Sequence, residues 1–176
     1  MRSFTLAIAA LILLSSCTDD PEPIEPKQSP SATPAATAPA LPKSARMNTP
    51  AGAANFVKFW IDVSNFSAQT GDTALLKELS GPACDGCKRY IELYESIYSR
   101  GGYIRGGERS IGDVDLEVGK PEIYVRGKVS AAAAKYRNEK SGPELKSEAD
   151  VTTIEFAATF DDQQWQMTQL GLAEKS

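Results

Sequence analysis

The chain contains no histidine. That excludes Ser-His-Asp and Cys-His catalysis in their usual forms, and every zinc site that needs an imidazole. Cysteine is scarce: Cys17, Cys84 and Cys87 are the whole set. Long apolar runs are also missing. The stretch Phe4 to Leu14 falls well short of the roughly 20 residues that span a bilayer. Basic clusters are absent too. With 19 Lys and Arg against 23 Asp and Glu, the net charge is −4, which argues against nucleic acid as a partner.

What is present begins with an export signal. Arg2 supplies a positive start, Phe4 to Leu14 an apolar core, and Leu14-Ser15-Ser16-Cys17 resembles a lipobox. Small residues before the cut suit a peptidase, and the Cys17 thiol would accept diacylglycerol. The plainer alternative is an ordinary secretory signal with an incidental cysteine. On the lipobox reading residues 1–16 are removed, and the protein sits lipid-anchored at the extracytoplasmic face of the cell membrane. Cleavage would leave 18 basic and 23 acidic side chains, net −5. Residues 17–48 are expected to form a disordered tether. Seven prolines from Pro21 to Pro42 are spaced by Ser, Thr, Ala and acids, with no aromatic residue to bury. Such a segment is extended, at about 3.1 Å per residue where it is polyproline-like. It serves as a spacer, or as a spacer that is also O-glycosylated.

Periodic apolar residues mark 49–176 as one globular domain. Thr49 is a good N-cap and Pro50 suits a first helical turn. Phe56, Phe59, Trp60, Val63 and Phe66 share a helical face, and Gly71 closes that helix. A short second helix is expected over Thr73–Leu79 and a third over Cys87–Ser99. The third carries Tyr90, Ile91, Tyr94, Ile97 and Tyr98 as its stripe. The period then changes to two. Strands are expected at Ser110–Val118, Glu122–Ala134, Val151–Phe160 and Trp165–Leu172, with a hairpin turn over Asp161–Gln164 and a loop over Asn138–Asp150. Helices followed by antiparallel strands make an α+β domain: three N-terminal helices on a curved four-stranded antiparallel sheet.

This pattern, with its closing apolar-Asp-x-x-x-Trp-x-Met hairpin, resembles the cone-shaped fold of nuclear transport factor 2 and ketosteroid isomerase. A cystatin-like layout is the alternative. At motif level, Gly52-Ala53-x-x-Phe56, Thr70-Gly71-Asp72-Thr73-x-x-Leu76, Cys84-x-x-Cys87 and the doublets Gly101-Gly102 and Gly106-Gly107 occur in that order. They resemble an uncharacterised family of actinobacterial lipoproteins. That resemblance implies an envelope address in a Gram-positive cell and carries no activity.

Cys84 and Cys87 are read first as a structural disulfide, since exported compartments are oxidising. A redox pair at a helix N-terminus is the second reading, and an intermolecular metal site the third. The glycine-rich stretch Gly101 to Gly107 follows a helix and precedes a strand, the reverse of a dinucleotide fingerprint. A turn or bulge entering the sheet is expected; Arg105 and Arg109 are the reason an anion or ligand loop is also considered. Asp62, Asp113 and Asp115 are candidate acids for a base inside a cone, with plain solvated carboxylates as the alternative. Phe56, Trp60, Tyr90, Tyr94 and Trp165 are core or pocket lining.

The expected role is therefore a non-catalytic envelope module binding a small apolar ligand or a protein partner. No cofactor, metal or nucleic acid is expected, and the fold would allow a homodimer through its sheet. An isomerase- or dehydratase-type enzyme using an acid and a tyrosine is the alternative, and a thiol-disulfide protein a further one.

Overall fold

In the computed structural model the described residues are 36–173. The expected signal segment, Cys17 and the tether up to residue 35 lie outside them. Among the described residues no helix is long and apolar enough to cross a membrane.

The long helix α1 runs Pro50–Thr70. Thr49 caps it as expected, its hydroxyl accepting from Gly52 N at 3.0 Å. Gly71, at φ 78°, ends it in the left-handed conformation. Of the expected stripe, Phe56, Phe59, Trp60 and Val63 are buried and Phe66 is half-buried; Val57, Ile61, Ser64, Ser67 and Ala68 are buried as well. The helix is enclosed on more than one side because the sheet wraps it. Helix α2 is Ala74–Glu78 and helix α3 is Asp85–Ser99.

The strands are β1 Tyr103–Gly106, β2 Arg109–Val118, β3 Glu122–Ala131, β4 Ala134–Arg137, β5 Leu145–Ser147, β6 Asp150–Asp161 and β7 Gln164–Leu172. They form two antiparallel sheets, ordered β2-β3-β6-β7 and β1-β4-β5. The four-stranded sheet is the expected one, and the three-stranded sheet β1-β4-β5 is an addition to it. It is not a separate layer, because β1 leads into β2, β4 follows β3, and β5 leads into β6, each across two residues. The strand order is the same on both sides of these breaks. One large sheet is thus bent along a line through Gly107-Glu108, Ala132-Ala133 and Glu148-Ala149. Bonds from Gly107 N to Ala133 O (3.1 Å) and from Ala132 N to Glu108 O (3.0 Å) hold β1–β2 against β3–β4 across the bend. Bends of this kind let a sheet curl over a helix.

Four local expectations change. The third helix starts at Asp85 rather than Cys87, with Cys84 as its N-cap. The strand expected over Glu122–Ala134 breaks after Ala131. The Gly101–Gly107 turn contains β1, and the Asn138–Asp150 loop contains β5. The final hairpin is as expected: Asp162 (φ 46°) and Gln163 (φ 64°) form a two-residue turn with both residues left-handed.

The packed unit also begins before Thr49. Lys43–Arg46 form a 3-10 turn with Ala45 fully buried, and Leu41 packs on the core. The Met47 carbonyl accepts the indole N–H of Trp165 at 3.1 Å. The last part of the segment expected to be tether is therefore ordered. Its apolar residues are few, but they have a site to fill.

Cys84 and Cys87 are joined in a disulfide, and both are buried. Gly86 between them lies on β7, where a Cβ would meet the Leu170 carbonyl oxygen at 2.0 Å. The bridge closes the first turn of α3, and Gly86 within it packs on β7. Replacing both cysteines by alanine is expected to cost about 2 kcal/mol, the value for so short a loop, measured by urea unfolding with and without reductant.

Candidate functional site

The bent end of the sheet, the last turn of α1 and the Leu93, Tyr94 and Ile97 face of α3 line an open cavity of about 360 Å³. Its walls are largely apolar: Ala68 from α1, Leu93 and Ile97 from α3, Ile104 from β1, and Ala131, Ala132, Ala134 and Tyr136 from the strands around the bend. Ser147, Glu148 and Asp150 line its open rim and are exposed.

Apart from the rim, its polar lining is Tyr94, Arg109 and Asn138, of which Tyr94 and Arg109 meet in a hydrogen bond. Tyr94 is buried at 1% exposure on α3, and its hydroxyl lies 3.1 Å from Ser64 Oγ on α1. Arg109 opens β2. Its guanidinium donates to Tyr94 Oη at 3.1 Å and lies over the Tyr90 ring, 4.8 Å from the centroid. Burial pushes the Tyr94 phenol above its ordinary range, against the opposing pull of Arg109. Tyr94 therefore stays a neutral hydroxyl that can donate and accept. Replacing Tyr94 by phenylalanine leaves Ser64 and Arg109 short of a partner. It is expected to cost about 1–3 kcal/mol, read as a lower denaturant midpoint at unchanged slope.

Arg109 is held in place by its backbone. Asn65 on α1 donates from Nδ2 to Arg109 O at 2.8 Å and accepts from Arg109 N at 2.9 Å. Because β2 is an edge strand, these backbone groups have no neighbouring strand to bond. The Asn65 amide supplies the same donor–acceptor pair that a strand would. The role of Asn65 was not legible in the sequence, since nothing local distinguishes it from a solvated helix residue.

The other candidates divide clearly. Of the two arginines that kept a ligand loop in view, Arg109 enters the cavity. Arg105 is exposed, its guanidinium 4.5 Å from the Tyr103 ring centroid. Gly106 and Gly107, both at positive φ, make the bend itself. None of the three candidate acids lines the cavity. Asp62 is exposed on α1, although partial burial raises its carboxyl pKa. Asp113 falls in the register irregularity of β2 between Ile111 and Val114 and is exposed. Asp115 pairs opposite Arg126, which itself pairs with Glu155 at 2.6 Å, so it belongs to a charged row on the outer face of the sheet. The pleat explains this: an odd-numbered shift at the irregularity reverses which face each residue meets.

Of the aromatic candidates, Phe56, Trp60 and Trp165 are core. Phe56 stacks on Trp165 at 6.3 Å, and Trp60 meets Tyr90 edge-on at 6.2 Å. Only Tyr94 contributes to the cavity. Among the described residues no group of three or more His, Cys, Asp or Glu side chains is placed to hold a metal ion.

The family DUF6318, described as a family of unknown function, matches residues 25–171. No curated protein matches the chain. Among solved structures, the intermembrane space region of the chloroplast protein ARC6 is similar at a TM-score of 0.55 and 11% identity, over 73% of this chain and 99% of that one. A nuclear transport factor 2-like superfamily protein from Salmonella enterica gives a TM-score of 0.42 at 10% identity, over 69% and 92% of the two chains. A protein of the same likeness with a cystatin-like fold, from Novosphingobium aromaticivorans, gives 0.38 at 14% identity, over 68% and 81%. At 11% identity the likeness to the ARC6 region is one of fold alone.

Proposed function

The chain belongs to the DUF6318 family of unknown function, and from its cavity we propose that it is a non-catalytic binding module held at the outer face of the cell membrane. The observation that carries this reading is an open, largely apolar cavity of about 360 Å³ with two polar groups converging inside it. That is the ordinary build and the lower size range of small-molecule sites, about 300–1,000 Å³. A base for isomerase or dehydratase chemistry would need a carboxylate beside the tyrosine. Asp62, Asp113 and Asp115 lie elsewhere, and Glu148 and Asp150 sit at the exposed rim. Thiol exchange has little support, because both sulfurs of the Cys84–Cys87 bridge are buried.

The address rests on the sequence around Cys17. Lipidation there anchors the chain, and the Pro-rich segment after it spaces the domain from the bilayer, in keeping with an actinobacterial envelope. Metabolic labelling with an alkyne fatty acid should mark the wild-type protein. A Cys17→Ala chain should lose the label; a label that persists on it rejects the anchor. For the binding role, native mass spectra of the chain from residue 17 carrying Cys17→Ser should show a co-purifying small molecule. That molecule should be lost on Ala132→Trp, which fills the cavity mouth. A chain that is empty, and that no amphipathic compound stabilises, rejects ligand binding and leaves protein docking as the role.

A further inference from the structure

We infer that the cavity is built for a small amphipathic carboxylate, its head on Arg109 and its apolar body along α3 and the bend; this rests on the cavity being a ligand site. Arg109 is the observation that points there. Among the described residues its side chain makes one hydrogen bond, to the neutral Tyr94 hydroxyl, and no carboxylate lies within salt-bridge distance of it. A half-buried guanidinium facing an apolar cavity without a counter-ion is costly. The fold nevertheless fixes this one firmly, through the Asn65 clamp on its backbone and the Tyr90 ring beneath its head. Its remaining N–H groups present a planar fork, the geometry that meets a carboxylate with two parallel bonds. Beside it, Tyr94 stays protonated and offers a neutral polar neighbour that does not repel an anion.

The walls set the rest of the ligand. Leu93, Ile97, Ile104 and Tyr136 are apolar, and the alanines of the bend leave the volume open. The exposed acids Glu148 and Asp150 at the rim disfavour a second negative charge on the outer end of the ligand. One anionic head placed inward, on a short chain or a single ring, satisfies each of these groups.

The test uses the chain from residue 17 with Cys17→Ser, prepared under oxidising conditions without detergent. Calorimetric titrations compare octanoate, octanol and octylammonium, which share one apolar body and differ in head charge. Octanoate should bind about ten- to a hundredfold more tightly than octanol, the range for charge-assisted hydrogen bonds, and octylammonium more weakly than either. Arg109→Gln should bring octanoate to the octanol level, and Arg109→Lys should recover part of the difference. Equal binding of octanoate and octanol to the wild-type chain overturns the carboxylate assignment while the ligand-binding reading stands. Failure of all three to bind overturns both. Octanoate binding that survives Ala132→Trp places the site elsewhere and also overturns the inference.

Discussion

A chain shortened to begin at Thr49 is expected to lose about 3–5 kcal/mol of stability relative to one beginning at Ala36. The loss combines an indole N–H left without an acceptor, about 1–3 kcal/mol, with the exposure of surface that Leu41 and Ala45 now cover, of similar size. The Met47 carbonyl is the centre of this effect. It accepts from Trp165 Nε1 at 3.1 Å and from Thr49 N at 2.8 Å. Trp165 in turn stacks on Phe56 and meets Phe160 edge-on at 5.1 Å, so the contact reaches both α1 and the last hairpin. For a domain whose total stability is about 5–15 kcal/mol, such a loss shifts the melting temperature by roughly 10 °C or more. Thermal unfolding followed by near-ultraviolet circular dichroism, which reports the tryptophan environment, checks it. Equal melting temperatures for the two chains would show that residues 36–48 are only a spacer.

Gly102→Ala is the second large effect. A Cβ there would lie 2.1 Å from the Arg137 carbonyl oxygen, 2.8 Å from the Asn138 carbonyl carbon and 2.9 Å from the Ile97 carbonyl oxygen. All three are backbone atoms, so no side chain can move aside. The C-terminus of α3, the end of β4 and the turn into β1 meet at this residue, and Gly102 N donates to Ile97 O at 2.9 Å. Separating them opens the wall of the cavity that Ile97 and Asn138 line. A cost of about 3 kcal/mol or more is expected, at or above the usual range for overpacking. Gly112→Ala is the control. It sits in the irregular part of β2 with nothing within 4 Å of the added methyl, and should stay within about 0.5 kcal/mol of wild type. Denaturant titrations of both variants decide it; similar small effects at the two sites would show that α3 and β4 do not approach as described.

The two glycine doublets show where sequence reading reached and where it stopped. A turn or bulge between α3 and the sheet was legible, because glycine pairs outside regular periodicity mark backbone that other residues resist. That one doublet tolerates no side chain beside α3 and β4, while the other bends a strand, was not legible. The difference depends on atoms more than 25 residues away, at Ala133, Arg137 and Asn138. The same limit applies to the acids. Alternation correctly placed Asp113 and Asp115 on β2, but one irregularity in register decided which of them faced what.

By itself the sequence determined the local matters. It carried the caps of α1, the helical stripes, the two-residue turn at Asp162-Gln163, the short Cys84–Cys87 loop and the order of helices before strands. Each follows from interactions within a few residues, where propensity and period suffice. Only the tertiary structure decided that one sheet bends to make a cavity, that residues before Thr49 belong to the packed unit, and that Arg109 faces inward with Tyr94 while three acids do not. Those outcomes depend on strand register, on an edge strand left for Asn65 to bond, and on backbone contacts between distant segments, none of which has a signature in neighbouring residues.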